Sequence, residues 1–477
     1  MFTHNLVVMK FSQSTGPSVY WLVAIPLLVY ANSFLGDFQF DDFTAILNNP
    51  HLSNGETFIG HLDHMVRPVL YATFLVDRFL YADSAWGYHV LNVGLHLVSG
   101  LLVYWIVLRA QTDDSLSLAF WTAIVFLVHP LMTETVTYLS GRASGLMTCF
   151  YLLAFLFYLK GTEGGCRKAN HGVWYVAAML AFLLAMASKE TAVTFPLALL
   201  LWDILVRRLH GRTLRSVFLS GHMPFWSMVL VMVVALWMHP RYAYLVDFSL
   251  SIRPIFDNVL SHVHAVAYAL LLFVVPWKQS FDHDLPFVHS VLQWPLLFDL
   301  MVLCGLILGA LVARRRLPLV AFGIGWFFLH LLPTNSIIPR NDLLSERNLY
   351  LPSIGLFIAV VPVGLALCNW IFKDTSSMPW IRIGFRSIGL AGVLILCLMT
   401  VQRNTLYQDP VLLWSDTVHK SPHKARPHNN LGHAYALQGD WTHAIEEFRV
   451  ALTLQPDYML AQENLREAYL FHVGRQE

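Results

Sequence analysis

Long apolar stretches separated by short polar connections run along most of the chain. Many of them approach the ~20 apolar residues that a membrane-spanning helix needs. The predicted spans are residues 18–35, 87–108, 117–130, 144–160, 173–188, 191–206, 217–238, 293–313, 318–333, 349–370 and 385–402. This pattern predicts an all-α, polytopic membrane protein with about 11 transmembrane helices.

Basic residues set the expected orientation of these spans. Lys and Arg gather in the connections 167–168, 207–215, 314–316 and 373–386, and the positive-inside rule makes such connections cytoplasmic. The first span is read as retained, not as a cleaved signal peptide, so the N-terminus lies in the cytoplasm. The opposite, outer face then receives the loops 36–86, 131–143, 239–292 and 334–348, and everything after residue 403.

One further apolar stretch, residues 255–276, does not fit this series. A crossing there would move Arg314, Arg315 and Arg316 to the outer face, against the positive-inside rule. We therefore expect a re-entrant or interfacial segment, which the membrane tolerates where it packs on protein or lines a cavity. An arrangement of twelve spans is the alternative.

Composition agrees with a membrane protein. The chain has 477 residues, of which 56% are hydrophobic and only 13% are charged. A soluble protein carries about 25% charged residues. The net charge of +1 gives no general field that would attract nucleic acid. The five cysteines show neither the spacing of a metal site nor that of a disulfide framework.

The composition changes near residue 402, which divides the chain into a membrane domain, 1–402, and a C-terminal helical module, 403–477. Residues 425–458 match one 34-residue tetratricopeptide repeat (TPR). Its characteristic positions are Leu431, Gly432, Tyr435, Gly439, Ala444, Phe448, Ala451 and Pro456. Partial units flank it, and so short an array must pack on the membrane domain or on a partner to bury its apolar faces. A structural cap and a peptide-binding role both remain open.

Charged and hydrogen-bonding residues gather at the outer ends of the predicted spans. They are Asp41, Asp42, Arg67, His129, Glu134, Arg142, Lys189, Glu190, Glu346 and Arg347. Ionisable groups at a bilayer boundary cost desolvation energy, and function is the usual reason to keep them. A few could be snorkelling anchors, but a set on one face, drawn from distant parts of the chain, predicts a common site.

The residue types in this set indicate a particular chemistry. A carboxylate supplies a general base when its pKa suits the working pH, and two adjacent carboxylates tune each other. Arginines bind phosphate through a fixed fork and stay charged. A site with both groups at the outer membrane boundary suits a lipid-phosphate donor whose tail stays in the bilayer.

Other polar residues carry weaker signals. Asp282, His283 and Asp284 in an outer loop are possible ligands of a divalent metal, but three successive residues do not easily face one ion. We therefore expect no metal and no other cofactor. His89 and His96 lie seven residues apart, on one helical face, and are interpreted as a helix-packing pair.

Long motifs in chain order resemble the transmembrane and tetratricopeptide-repeat (TMTC) family and its bacterial relatives. The matching segments are Gly36-Asp37-Phe38-Gln39-Phe40-Asp41-Asp42, Asn48-Asn49, Arg67-Pro68 with His89, Asn92 and His96, His129-Pro130, Thr133-Glu134, Gly141-Arg142-Ala143, Ser188-Lys189-Glu190, Pro333-Thr334-Asn335, Ser345 to Ser353, and Arg403-Asn404. The resemblance covers nearly the whole chain. It implies a glycosyltransferase fold of the GT-C type.

The resemblance also implies an activity and roles for residues. The family is similar to protein O-mannosyltransferases that take mannose from a polyprenyl phosphate on the non-cytoplasmic face. By that likeness Asp41 is the base, Asp42 stands where related enzymes have Glu, and Arg142 contacts the donor phosphate. Family members commonly carry longer repeat arrays than this chain.

The expected function is therefore transfer of one sugar, mannose or another hexose, from a polyprenyl phosphate to a hydroxyl acceptor by an inverting, base-assisted step. The expected acceptor is a protein Ser or Thr, for which the TPR module is a candidate recognition unit, or else a glycan or lipid. A non-catalytic TPR scaffold for envelope or polysaccharide assembly is the rival. The short array and compact loops suggest a bacterial inner membrane, with the module in the periplasm and no nucleic-acid partner.

Overall fold

The structure is a computed structural model that describes residues 17–110, 115–162, 168–208, 221–335, 337–371 and 379–473. All regular elements in these ranges are helical, joined by short 3-10 or π turns. In chain order the α-helices are α1 (Pro17–Val29), α2 (Gly55–Gly60), α3 (Pro68–Tyr81), α4 (Ala85–Leu108), α5 (Ser115–Val128), α6 (Thr133–Val136), α7 (Arg142–Thr162), α8 (Lys168–Ser188), α9 (Phe195–Leu205), α10 (Met223–Met238), α11 (Pro240–Ile252), α12 (Ile255–Val274), α13 (Leu296–Ala313), α14 (Pro318–Leu331), α15 (Tyr350–Ile371), α16 (Pro379–Thr405), α17 (Pro410–Lys420), α18 (Ala425–Leu437), α19 (Trp441–Leu454) and α20 (Met459–Val473).

The helices confirm an all-α integral membrane protein. Within the described ranges, seven helices are long and apolar enough to cross a membrane, or nine if each of two bent pairs counts as one span. The bent pairs are α5 with residues 130–136, and α10 with α11. Two shorter apolar helices lie at 19–35 and 318–331. The predicted number of 11 crossings stays a prediction, and its span 217–238 begins outside the described residues.

Two predicted segments differ from their expected form. Residues 255–274 form one continuous helix, α12, that is long and apolar enough to cross, so a chain reversal inside this segment is ruled out. By contrast, the predicted span 191–206 divides into the end of the 3-10 helix Glu190–Thr194 and the 11-residue helix α9. At 1.5 Å per residue α9 is about half the ~30 Å thickness of a bilayer core. The apolar pattern alone did not distinguish these two lengths.

Helix α7 lies at the centre of the membrane domain. It packs against α4, α8 and α15 within a continuous apolar core. Edge-on ring contacts join Tyr151 and Phe155 of α7 to Trp326 of α14, at centroid distances of 5.7 and 5.6 Å. Because buried aromatic rings dominate core energetics, these contacts hold the middle of α7 in the core.

Three segments far apart in sequence are joined at one face, which the charge pattern predicts to be the outer one and which is called the outer face below. The side-chain amide of Gln39 donates to the backbone carbonyl of Tyr407 at 3.3 Å. The hydroxyl of Thr137 donates to the side-chain oxygen of Asn404 at 2.7 Å. The Asn404 amide in turn donates to the carbonyl of Val29 at 3.2 Å. The loops after α1 and α6 are therefore anchored to the end of α16.

The C-terminal module folds as the sequence pattern predicts for a helix pair. Helices α18 and α19 are joined by residues 438–440. Gly432 allows their close approach, because a Cβ there would stand 2.7 Å from the Phe448 ring. The module packs on the membrane domain through Trp414, whose ring meets those of Phe281 and Phe40 at 5.3 and 5.5 Å. The assignment of residues 425–458 as a tetratricopeptide repeat stays a prediction.

Candidate active site at the outer ends of the helices

A tight turn at residues 39–42 presents Asp41. The backbone of Asp42 donates to the carbonyl of Gln39 at 2.8 Å, and Phe40 has a φ of 43°. A bulky residue with positive φ stores strain that only its surroundings can maintain. Here the Phe40 ring lies edge-on to Trp414 and Phe281, which holds the turn in place.

Asp42 is the buried half of the acidic pair and fastens this turn to the loop before α7. One carboxylate oxygen accepts from the Ser140 amide at 2.7 Å and from its hydroxyl at 2.5 Å. The other accepts from the Gln39 amide at 2.9 Å. Burial raises the pKa of the Asp42 carboxyl to about 7, although these hydrogen bonds act in the opposite direction.

Asp41 points the other way and is accessible. Its side chain is 42% exposed, and one carboxylate oxygen lies 3.5 Å from a guanidinium nitrogen of Arg347. Its backbone amide donates to the hydroxyl of Tyr138 at 3.1 Å. The carboxylate thus keeps most of its hydrogen-bonding capacity for a ligand.

Arg347 lies between Asp41 and a second, buried carboxylate. Its amide donates to Glu134 at 3.1 Å, and its side-chain Nε lies 3.7 Å from Glu134. The guanidinium carbon stands 5.6 Å from the centre of the Tyr138 ring. With 32% of its side chain exposed, Arg347 is held by its neighbours yet open on one side.

Lys189 stands behind Arg347 in a more enclosed position. Its ammonium donates to the hydroxyl of Ser144 at 2.7 Å and to the side-chain oxygen of Asn348 at 2.8 Å. Burial, reinforced by nearby Arg67, lowers the pKa of Lys189 well below its ordinary value. Lys189 and Arg347 line a cavity of about 10 Å³, which has room for about one water molecule.

Arg67 and Glu190 form a two-pronged ion pair at the same outer edge. The guanidinium nitrogens lie 3.1 and 2.8 Å from the two carboxylate oxygens, and this partner keeps the pKa of Glu190 below its ordinary value despite burial. An apolar cavity of about 380 Å³ opens beside the pair, lined by α8, α10 and α11 side chains including Met186, Met228 and Val231.

Arg340 is a residue of this region that the sequence analysis missed. It is exposed and interacts electrostatically with Glu190, Arg67 and Arg347. Among the described residues its guanidinium donates no hydrogen bond, although its carbonyl accepts one from Arg253. It lies in an outer loop, not at a span end, so the span-end pattern did not single it out. Asn348 lies within the motif Ser345 to Ser353, but its role becomes visible only from its contact with Lys189.

Arg142 is placed differently from its expected role. Its side chain has no exposed surface and lies 2.5 Å from Asp77. Its nitrogens donate to Asn92 at 2.7 Å, to Thr73 at 3.2 Å and to the carbonyl of Tyr88 at 2.9 Å. In this arrangement Arg142 offers no face to a phosphate, and it joins α3, α4 and α7.

Gly141, the residue before Arg142, is required by a close backbone approach. A Cβ at this position would stand 2.2 Å from the carbonyl oxygen of Glu134. The loop between α6 and α7 therefore turns back tightly on itself. This turn brings Glu134 and Ser140 to their places beside Arg347 and Asp42.

The remaining predicted residues are buried and bonded to protein groups. His129 accepts from the Leu131 amide at 3.2 Å at the bend after α5. Glu346 accepts from Gln279 at 2.7 Å and from the Ser280 amide at 2.8 Å, and pairs with His283 at 2.9 Å. His89 and His96 are buried, with Gly36 and Tyr350 as hydrogen-bonding partners at 3.3 and 2.7 Å, as expected of packing residues.

Two of the three candidate metal ligands in loop 277–292 are occupied by other protein groups. Asp282 pairs with Lys424 and Arg426, while His283 pairs with Glu346. In the part of the chain that the structure describes, no group of three potential ligands could hold a metal ion.

These features define a membrane protein with an acidic and a cationic group converging at one site. Curated proteins match the chain at low identity. A protein O-mannosyl-transferase of Caenorhabditis elegans is 25% identical and covers 92% of this chain. Human protein O-mannosyl-transferase TMTC1 is 26% identical over 93% of it, and mouse TMTC4 is 27% identical over 89%. The resemblance to the TMTC proteins is thereby confirmed.

The chain is shorter than these relatives, since it spans 62%, 56% and 65% of their respective lengths. A solved structure of ArnT from Cupriavidus metallidurans, bound to undecaprenyl phosphate, is 17% identical, with a TM-score of 0.41 over 87% of this chain and 80% of that one. No family model matches the chain.

Proposed function

We propose that this protein is a membrane glycosyltransferase that moves one sugar from a polyprenyl-phosphate donor to a hydroxyl acceptor. The observation that carries the proposal is the partly exposed carboxylate of Asp41 facing the partly exposed guanidinium of Arg347 at 3.5 Å. A base and a permanent cation at one site can serve the two ends of a displacement at a sugar carbon, which requires that the sugar enter between them and part this contact. The relatives are named protein O-mannosyl-transferases, which supports mannose as the sugar and a protein hydroxyl as the acceptor; we propose that this hydroxyl belongs to Ser or Thr.

The reaction follows from these two groups. The Asp41 carboxylate takes the proton of the acceptor hydroxyl while that oxygen forms a bond to the anomeric carbon. The bond between this carbon and the phosphate oxygen breaks on the opposite face, and its electron pair stays on the phosphate. The sugar configuration is inverted, and the negative charge that develops on the phosphate is stabilised by fixed cations.

Arg347 and the exposed Arg340 are the proposed contacts of the donor phosphate. Lys189 lies behind them without contacting the phosphate directly, and the Arg67–Glu190 ion pair at the same edge carries no net charge. The cavity shared by Lys189 and Arg347 holds only a water-sized group, so the phosphate is placed on the exposed side of Arg347. Asp42 and Arg142 then act as positioning residues that hold Asp41 and α7.

The donor's hydrocarbon tail requires an apolar surface that is continuous with the phosphate site. The cavity of about 380 Å³ beside Arg67 and Glu190 provides one, since Leu183, Met186 and Val231 line it. Burial of apolar surface contributes roughly 25 cal/mol per Å². The tail thus supplies binding free energy while the charged residues orient the head group.

Replacing Asp41 by Asn tests this function. A general base typically contributes about 10²–10⁴ in rate, so transfer from a labelled polyprenyl-phosphate hexose should fall by that factor. Thermal stability should be unchanged, because Asp41 is half exposed. Asp37→Asn is the matched control, since Asp37 is exposed and accepts only from the neighbouring Phe38 amide. Undiminished transfer by Asp41→Asn would exclude Asp41 as the base.

The scaffold alternative has one observation in its favour. Large apolar residues are exposed at the last helix of the C-terminal module, among them Met459 at 79% and Leu470 at 68%. Such a surface is typical of protein contact. Binding of the donor discriminates: a scaffold is not stabilised against heat by a polyprenyl-phosphate sugar, whereas the transferase is. Competition between protein, glycan and lipid acceptors identifies the acceptor class.

Orientation and compartment follow from the charge pattern and belong to this proposal. The site faces the periplasm of a bacterial inner membrane, together with the C-terminal module, and the N-terminus lies in the cytoplasm. Labelling of single cysteines with an impermeant reagent tests this orientation.

A further inference from the structure

We propose that the C-terminal helical module is a positioning element of the transfer site: Lys424 and Arg426 hold Asp282 and Asp342, and so keep Glu346 and Arg347 opposite Asp41. The inference rests on the proposed function for the meaning of Arg347. It goes beyond that function in assigning a catalytic support role to a module whose sequence suggests only a cap or a peptide-binding unit.

The first step is a four-charge contact between the module and two outer loops. Arg426 donates to Asp282 at 2.7 Å and to Asp342 at 2.6 Å. Lys424 pairs with Asp282 and lies 3.3 Å from Asp342. The Asp282 side chain is only 2% exposed, so both of its oxygens depend on the module for their partners.

Loop 279–283 links this contact to Glu346. His283, next to Asp282, pairs with Glu346 at 2.9 Å. A parallel route starts at Lys420, which donates to the carbonyl of Gln279 at 2.7 Å, and the Gln279 side chain donates to Glu346 at 2.7 Å. Loop 279–283 thus contacts the module on one side and the fully buried Glu346 on the other.

The segment 342–347 links these contacts to the proposed transfer site. Asp342 and Glu346 bracket the segment that leads to Arg347, and the module holds Asp342 directly and Glu346 through the loop. Arg347 then meets Glu134 through its amide at 3.1 Å and Asp41 through its side chain at 3.5 Å. Rates of displacement depend steeply on such placement, because a shift of about 1 Å can cost about 10²-fold.

Loss of the module's cations would therefore act on the segment 342–347. Asp282 would become a buried carboxylate without a partner, which is costly enough to force the loop to rearrange. The loop cannot move without releasing Glu346. The displaced group is Arg347, which faces Asp41.

The test uses the full-length protein in lipid nanodiscs, with the double variant Lys424→Gln/Arg426→Gln. Hydrogen exchange of the backbone amides at 342–349 should become faster, while exchange in α7 stays as in the wild type. The turnover number should fall by about 10–100-fold, with little change in the KM for acceptor. The matched control is Arg449→Gln, because Arg449 is an exposed module arginine bonded to Tyr469 within the module.

Two further variants separate positioning from folding. Arg426→Lys keeps the charge but not the fork that reaches both carboxylates, and it should give intermediate exchange and turnover. Asp342→Asn changes the loop instead of the module and should speed exchange at 342–349 while the module stays docked. If the double variant did not fold, the exchange patterns of these two single variants would decide whether the module positions the segment 342–349.

The outcomes are distinct from those of the function test. Unchanged exchange at 342–349 in the module variants would overturn the inference, whatever the activity. Unchanged turnover with a raised KM for acceptor would overturn it too, and would make the module an acceptor-binding unit. If the wild-type chain transfers no sugar, the proposed function fails, but the exchange experiment still shows whether the module controls this segment.

Discussion

Two arginines at the outer face, Arg142 and Arg347, differ completely in the structure, although the sequence makes Arg142 the first candidate for the phosphate and Arg347 a weaker one. Both sit in motifs at the start of a helix and both belong to the predicted phosphate-binding set. Arg142 is fully buried and bonded to protein groups, whereas Arg347 is about one-third exposed with its nearest carboxylate at 3.5 Å. A charged residue in a motif can therefore stabilise the fold or bind the ligand. The burial of its side chain and the number of its protein partners distinguish these two roles.

The largest expected effect is on stability, through Arg142→Met. Removing one partner of a buried ion pair leaves the other uncompensated, at a cost of about 3–5 kcal/mol. The free energy of unfolding should fall by this amount, as measured by thermal or denaturant unfolding in detergent. The double variant Arg142→Met/Asp77→Leu should recover much of the loss. If Arg142→Met instead kept full stability and lost only donor binding, the phosphate contact implied by the family resemblance would be right.

Arg347→Gln should show the opposite profile. Loss of one group that stabilises developing charge typically costs about 10²–10³ in rate, so kcat should fall by that factor with a smaller change in stability than for Arg142→Met. Steady-state transfer and thermal unfolding of the same preparation measure both. Arg314→Gln is the control, because Arg314 is exposed in a basic connection that we assign to the other face. Equal stability losses for Arg142 and Arg347 would remove the distinction between them.

The pH dependence should report on Asp42. Its folded-state pKa of about 7 lies above the ordinary 3.8, so between these values the folded protein binds the extra proton. The contribution of Asp42 to stability is complete below about pH 4 and declines as the pH rises through 7. Activity should instead rise with pH. Protonation of one Asp42 oxygen removes the hydrogen-bond acceptor of Ser140 or Gln39, and this loosens the turn that presents Asp41.

The expected pH–rate profile therefore rises with pH around 7. Asp42→Asn should abolish this rise and also flatten the pH dependence of stability over the same range. Asp37→Asn should leave both profiles as in the wild type. If the activity of Asp42→Asn still rose with pH near 7, a group other than Asp42 would be responsible for the rise.

The smallest effect is expected for Arg340→Gln. An exposed charge contributes up to about 1 kcal/mol, so the Kd for a polyprenyl phosphate should rise no more than about fivefold. The effect should shrink at high salt, because exposed charges are screened there. A titration at two ionic strengths checks this. A loss as large as that for Arg347→Gln would make Arg340 a principal phosphate ligand.

Parts of the fold and site could be read from the sequence because their signals are local. The apolar stretches predict helices wherever the pattern is long, as in α4, α7 and α8. The adjacent Asp41 and Asp42 mark the outer end of the first span, and the helix pair of the C-terminal module follows from residue spacing. The motifs around Glu134 and Arg347 predict that distant segments meet, and the 3.1 Å bond between these two residues bears this out.

Other features depend on neighbours that no local pattern specifies. The length of α9 and the continuity of α12 are set by packing, since both segments are apolar. The opposite environments of Asp41 and Asp42 arise from the positive φ of Phe40 and from Ser140, almost a hundred residues away. The sequence does not show what Asp282 and His283 bind, and in the structure they pair with Lys424, Arg426 and Glu346.

By itself, the sequence determined that this is a helical membrane protein with acidic and cationic residues at one set of helix ends. Hydrophobicity and charge are properties of each residue and its close neighbours, so they can be read along the chain. Only the tertiary structure decided which of those charges are consumed by internal partners and which stay open to a ligand. That choice depends on contacts between segments hundreds of residues apart, because a buried charge is stable only where another segment supplies its partner.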